Sequence, residues 1–280
     1  MIHRTLAVAA SAWLALVVLG AILSPLLAPS DPIQPVGGAL AAPGGEALLG
    51  TDALGRDLWS RMLYGARISL AGAMLAASLA VCLGGVFGLA AAMWGGWVER
   101  GIAWGTNAML AIPGLLLALM LLTALGPGVA TIILAVGLGG APGFARLSRS
   151  VFLAARHSDY VRAAHALGAD RPWVAVRHVL PNTRTALLSL ATTHVAWAFL
   201  GTTTLTFLGL AGDPSLPEWG AMLNEGRAHL IDAPHLALWP GTAIALTVLS
   251  VQFLGGWITR RGARAEADAD PRRGVSTIRS

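Results

Sequence analysis

No lysine occurs in this 280-residue chain; all 19 basic residues are arginine. That absence excludes a phosphate-binding loop of the G-x-x-x-x-G-K-[ST] kind and any Schiff-base lysine, so ATP hydrolysis by this polypeptide itself is not expected. The one cysteine, Cys82, excludes an intrachain disulfide and a C-x-x-C metal site. Charge is scarce as well. Charged residues make up 12% and hydrophobic residues 55%, with a mean hydropathy of +0.67, which is the composition of a polytopic membrane protein and not of a soluble domain. The net charge of +5 does not point to nucleic acid, because the arginines sit in loops between apolar runs, as topology signals do.

What is present is a series of apolar segments. Leu6 to Leu27 is uncharged and long enough to span a bilayer, longer than the roughly 7–15 apolar residues of a cleavable signal peptide. Residues 29 to 49 form a loop rich in Pro, Gly and Ala. Ile68 to Met93, Ile102 to Leu125, Val129 to Phe144, Leu187 to Leu208 and Leu236 to Ile258 then read as further spans, giving six, all free of Asp, Glu and Arg. The fourth is short and glycine-rich, so a kink or close packing is expected there. With the amino terminus inside, only Arg56, Arg61, Arg67 and Arg227 of the 19 arginines fall outside, which favours both termini in the cytoplasm. Trp94, Trp97, Trp104 and Trp257 fall at inner boundaries and Trp219 and Trp239 near outer ones, as in an aromatic belt. The tail from Arg260 to Ser280 is rich in Arg, Ala and Asp, and disorder or a position at the headgroups is expected.

One polar stretch, residues 158 to 182, interrupts this pattern. If Asp159 caps it, an eight-residue helix presents Tyr160, Ala163, Ala164 and Leu167 as a smooth stripe before Gly168 stops it. Two turns barely repay nucleation, so such a helix must dock on something. Asp170 or Arg171 then caps a second short helix with Pro172 in its first turn. It carries Trp173, Val176 and Leu180 on one face and Arg171, Arg177 and His178 on the other, and Pro181-Asn182 is expected to break the chain. Nearer the start, Asp52, Arg56, Asp57 and Arg61 are spaced for an i, i+4 charge ladder on a surface helix.

At residues 158 to 182 the chain resembles the membrane subunits of binding-protein-dependent ABC importers. Their pattern Glu-Ala-Ala-x3-Gly-x9-Ile-x-Leu-Pro is matched by Arg162-Ala163-Ala164, Gly168, His178 and Leu180-Pro181, with Arg162 in place of the Glu and His178 in place of the Ile. The string Gly50-Thr51-Asp52-x2-Gly55-Arg56-Asp57-x2-Ser60-Arg61 is similar to the dipeptide, oligopeptide and nickel subgroup (its C-type subunit). The outer segment from Thr206 to Leu210, with Trp219, Asn224, Glu225 and Arg227, is similar to the same subgroup, and the likeness covers roughly Gly50 to Trp257.

The resemblance implies an all-α permease fold of the type I importers with six transmembrane helices. Residues 1–67 would hold the first helix and an extracytoplasmic segment, 68–259 the permease core and 260–280 a cytoplasmic tail. It implies that Asp159, Tyr160, Arg162, Ala163, Ala164, Leu167, Gly168, Leu180 and Pro181 couple to an ATPase. It also implies a second homologous permease, two ATP-binding subunits and an extracytoplasmic binding protein in a bacterial-type inner membrane. No cofactor is expected on this chain, ATP and Mg being used by the ATPase partners. The implied substrate is a di- or oligopeptide, with nickel or another small solute as the alternative.

A secondary transporter is the competing class, but it normally needs ionisable groups in its spans, and here only His194 qualifies; it is expected to be a packing residue. Asn107 and Gln252 read as interhelical hydrogen-bond formers. No paired aspartates lie in the spans, so an intramembrane aspartyl protease is excluded.

Overall fold

The computed structural model describes residues 2–45 and 47–268. In chain order the helices are α1 (Ile2–Ile22), α2 (Ser24–Leu27), α3 (Leu58–Trp94), α4 (Gly96–Ala111), α5 (Gly114–Leu125), α6 (Val129–Arg156), α7 (Asp159–Ala166) and α8 (Arg171–Val174). A π-helical turn, Ala175–Val179, leads into α9 (Leu180–Phe207), followed by α10 (Trp219–Gly226) and α11 (His235–Asp268). Among the described residues there is no β-strand, only isolated bridges in the loop before α3.

Asp57 starts α3 by accepting a hydrogen bond from the Ser60 amide at 2.8 Å, and Gly95, at φ +63°, ends it. At 37 residues α3 is about 55 Å long, well beyond a hydrocarbon core of about 30 Å. Its first ten residues therefore extend outside the expected span, and the helix runs unbroken across residue 67. The glycines of α3 fix its neighbour: Gly72 lies beside Ile133, Gly84 beside Ala141 and Phe144, and Gly88 beside Ser148. Residue numbers rise together, so α3 and α6 are parallel. The chain between them must travel back along the bundle, and α4 with α5 makes that return.

The return is not the straight span expected from hydropathy. Ile112 is extended (φ −86°, ψ 122°), as a residue preceding proline prefers, and the helices on either side of Ile112-Pro113 meet at 88°. Three other segments also differ from expectation. Helix α6 continues through Pro142 to Arg156 instead of ending near Phe144. Pro181 does not break the chain; it sits in the first turn of α9, where its missing N–H costs no helix bond. Helix α11 passes Ile258 and reaches Asp268, while the tail from residue 269 lies outside the described residues.

Helices α1, α3, α6 and α11 are long and apolar enough to cross a membrane, and the bent α4–α5 pair makes a fifth candidate. Helix α9 is less apolar because of its threonines. Thr192, Thr202, Thr204 and Thr206 return their hydroxyls to backbone carbonyls three or four residues back, at 2.7–3.1 Å, whereas the buried Thr203 hydroxyl has no such partner among the described residues.

Three apolar clusters stack along the bundle. One joins Val17, Leu58, Phe199, Trp219 and Leu236, a middle one joins Ala76, Leu122, Ile132 and Leu205, and the last joins Met93, Phe152, Val161, Val174 and Val179. Loops 28–57 and 208–234 therefore share one end of the bundle, and loop 157–179 lies at the other.

Close approach of α3 to α6 sets a stability test. A Cβ on Gly88 would sit 2.8 Å from Ala145 O and 2.1 Å from Ser148 Oγ, whereas one on Gly85 meets only Phe144, at 3.9 Å. Gly88→Val is expected to lose about 1–3 kcal/mol through overpacking and Gly85→Ala to be tolerated, read as thermal midpoints in detergent. Equal midpoints would refute this packing.

Candidate functional site

The polar stretch folds into a short helix pair at one end of the bundle. Ser158, in extended conformation (φ −71°, ψ 154°), holds the cap position expected for Asp159. Asp159 instead opens α7, where its charge suits the positive helix end, and pairs with Arg162. Gly168, at φ +89°, closes the helix: its N–H bonds His165 O and that of Ala169 bonds Ala164 O, each at 3.0 Å. Asp170 caps α8 by accepting from the Trp173 amide at 3.0 Å, and Pro172 lies in its first turn as expected.

The stripe expected on α7 is divided between two faces. Ala164 turns inward beside Val161, which is 1% exposed, onto Met93, Phe152, Val174 and Val179. Tyr160, Ala163 and Leu167 face outward, Leu167 at 90% exposure. The same holds after α8: Val174, Ala175 and Val179 are buried, while Trp173, Val176 and Leu180 are exposed. Spacing found the apolar residues of each short helix without saying which of two apolar faces meets its own bundle. The outward set forms one ridge, with the rings of Trp173 and Tyr160 centred 4.9 and 6.3 Å from that of His178.

At the opposite end, the expected surface ladder is a buried knot. Asp52 and Arg56 lie in a turn before α3, Asp57 caps that helix, and of the four only Arg61 is on it. Gly55 permits the turn at φ +75°, with a Cβ there falling 2.4 Å from Gly37 O. Asp52 Oδ1 accepts from the Leu54 and Arg56 amides at 2.9 Å, and its Oδ2 lies 2.5 Å from Arg56 Nε and 3.2 Å from Arg61 Nε. Glu225 Oε2, from α10, is 3.3 Å from Arg56 Nη2 and 3.7 Å from Arg61 Nη2. Arg61 also donates to Pro32 O and Ser215 O at 3.2 and 3.3 Å. Ser60 bonds Asp57 Oδ2 at 2.6 Å, and Thr51 reaches Gly38 O at 2.6 Å. Gly50, at φ +87°, packs under Ala41 and His235.

This knot ties the amino-terminal loop to the loop before α11. Sequence reasoning missed Glu218 and Ser69, whose side chains meet at 2.7 Å while Glu218 also caps α10. Trp219 is not an interfacial anchor: it is 2% exposed and donates to Met62 O at 3.0 Å. Asn224 lies on α10, and Arg227 follows it with its guanidinium 5.5 Å from the Phe207 ring.

His194 packs against Phe144 and Trp197, with ring centroids at 5.4 and 5.3 Å. A cavity of about 290 Å³ beside it, between α5, α6 and α9, is lined by Leu115, Val136, Trp197, Leu200 and Thr204 among other largely apolar groups. Asn107 bonds Arg146 across α4 and α6 at 2.9 Å, while Gln252 is exposed.

Long apolar helices bounded at one end by a charged knot and at the other by a packed polar helix pair are the architecture of a polytopic membrane protein. A family model, binding-protein-dependent transport system inner membrane component, matches residues 84–265, and the chain belongs to that family. The glutathione transport system permease protein GsiD of Pectobacterium atrosepticum is 38% identical over 207 residues, 74% of this chain and 69% of that protein. Its namesake from Escherichia coli O6:K15:H31 is 39% identical over 206 residues, covering 74% and 68%. A chain from an inward-facing crystal form of the MetNI methionine ABC transporter superposes with a TM-score of 0.61 at 19% identity, covering 73% of this chain and 96% of that one. The protein is thus an ABC importer permease, a transport component and not an enzyme, serving with ATPase and substrate-binding partners.

Proposed function

We propose that this permease moves di- or oligopeptides across the inner membrane by alternating access, driven through the helix pair at residues 158–182. The exposed ridge of Tyr160, Leu167, Trp173, Val176 and Leu180, held on a rigid base of Val161, Ala164, Val174 and Val179, carries this reading. Apolar groups exposed together at the end of a membrane bundle mark a protein contact. An ATPase seated there, using ATP and Mg, would push the pair as a unit and rock the helices behind it.

The proposed topology has six crossings: α1, α3, the α4–α5 pair, α6, α9 and α11. The parallel course of α3 and α6 supports it, because the α4–α5 pair must recross between them. Both termini then lie in the cytoplasm with the ridge, and the charged knot faces the extracytoplasmic binding protein. One such bundle supplies half a pathway, so a second homologous permease and two ATPase subunits complete the assembly. A peptide substrate is preferred over nickel because the relatives named above are glutathione permeases, and glutathione is a tripeptide.

Cross-linking tests the docking. With the exposed Cys82 replaced by serine, Leu167→Cys is expected to form a disulfide or bifunctional cross-link to the ATPase subunit in inside-out vesicles, and to react with an impermeant maleimide only from the cytoplasmic side. Labelling from the outside would invert the topology and end this reading.

A further inference from the structure

Beside the exposed ridge lies a cavity of about 340 Å³ lined only by Arg156, His157, Arg162, His165 and Arg171. Two of its three arginines are held in place from behind. Arg156 Nη1 donates to Ala92 O at 2.5 Å and Arg171 Nη1 to Trp94 O at 3.1 Å, both carbonyls at the negative end of α3. Each guanidinium keeps further N–H donors. The imidazoles are tethered through Nδ1, His157 to Leu153 O at 2.8 Å and His165 to Ala169 O at 3.0 Å, which leaves Nε2 of each as its second edge. The acids of the same loop are already engaged, Asp159 by Arg162 and Asp170 by the Trp173 amide.

We propose that this pocket receives a carboxylate-bearing segment of the ATPase subunit, an inference that rests on residues 158–182 being the docking loop. Helix α7 carries both the ridge residues Tyr160 and Leu167 and the pocket residues Arg162 and His165. Whatever covers the first pair desolvates the second. Removing such a cluster from water is unfavourable unless the incoming surface brings opposite charge. An anionic headgroup would neutralise the pocket as well, and the two lipid compositions of the test below separate that occupant from the ATPase. Arg162, which stands where the family pattern has glutamate, is paired with Asp159 in the free chain and exchanges that partner for the incoming carboxylate, so the pocket favours a cognate ATPase that carries one.

The test uses the whole transporter, both permeases with their ATPase subunits and binding protein, in nanodiscs of neutral phosphatidylcholine and of phosphatidylcholine with phosphatidylglycerol. Arg162→Glu installs the residue the family pattern places there; it also takes away Asp159's partner, so Arg162→Gln and membrane abundance serve as controls for the fold of the loop itself. Binding-protein-stimulated ATPase activity and copurification of the ATPase are expected to fall at least about tenfold in Arg162→Glu, and less in Arg162→Gln, in both lipids. Suppressors that restore uptake are expected to remove an acidic residue from the ATPase. Full stimulation in Arg162→Glu, suppressors confined to this chain, or a loss that neutral lipid alone reproduces in the unaltered complex would overturn the inference. The Leu167→Cys cross-link separates the two claims: if it forms while Arg162→Glu is silent, only the carboxylate partner is wrong, and if it never forms the docking reading fails as well.

Discussion

Gly168→Pro is expected to abolish uptake and ATPase stimulation while leaving the subunit in the membrane at normal abundance. The residue sits at φ +89°, and proline is fixed near −65°, so the chain cannot turn there without unwinding the end of α7. Proline also deletes the N–H that bonds His165 O, and displacing the turn removes the Ala169–Ala164 bond beside it. Little else is disturbed, because a Cβ at Gly168 would meet no atom within 4 Å. The defect is therefore confined to how α7 is presented. If α7 transmits the ATPase stroke, losing a coupling free energy of about 3 kcal/mol lowers stimulated activity by about 150-fold. Ala164→Glu reaches the same end from the other side, since Ala164 is 9% exposed and packs on the bundle, so a carboxylate there lifts the helix off its base. Uptake of labelled peptide into proteoliposomes, with immunoblots for abundance, reads both. Full uptake in either variant would remove α7 from the coupling path.

How far these features could be read from sequence depends on the distance of their partners. The eight-residue length of α7, the stop at Gly168, the cap at Asp170 and the place of Pro172 all follow from neighbours within four positions, and all are where local chemistry puts them. The inward face of α7 is not local. Val161 is buried because Phe152, Val174 and Val179 happen to converge on it, and a helix with apolar groups on two sides does not disclose which side that will be. The 88° bend at Ile112-Pro113 was written in the sequence as Pro113-Gly114, but a hydropathy window averages over it.

The start of α3 failed for a different reason. Residues 52–61 read as a surface charge ladder ahead of a span that begins at Ile68, which puts Arg61 outside that span. Arg61 is nonetheless 1% exposed within α3, since Asp52 and the distant Glu225 neutralise it. Charge is a guide to exposure only while its partner is unknown, and a partner on α10 cannot be seen from the i, i+4 spacing.

That knot carries the second large effect, and Asp52→Ala is expected to be the most destabilising single change at its end of the bundle. Among the described residues, Asp52 is the one fully buried carboxylate paired with Arg56 and Arg61, which are 3% and 1% exposed. Removing it leaves the two buried guanidinium groups with Glu225, at 3.3 and 3.7 Å, as their one carboxylate among the described residues, besides the Pro32 and Ser215 carbonyls on Arg61, and breaking a buried pair in this way costs about 3–5 kcal/mol. Two amides that Asp52 Oδ1 accepts lose their partner as well. Glu225→Gln should cost much less, about 1 kcal/mol, because its side chain is 26% exposed and its amide oxygen can still accept from Arg56. Thermal unfolding of the detergent-purified complex and membrane abundance should rank Asp52→Ala far below Glu225→Gln. Joining Asp52→Ala to Arg61→Met should recover part of the loss, because a buried pair replaced as a unit leaves less uncompensated charge than one broken by half. Equal midpoints for Asp52→Ala and Glu225→Gln would mean that the two arginines are solvated in the assembled transporter. The loop before α11 would then be held by Trp219 and the Glu218–Ser69 bond, and the charges beneath it would be free to meet another protein.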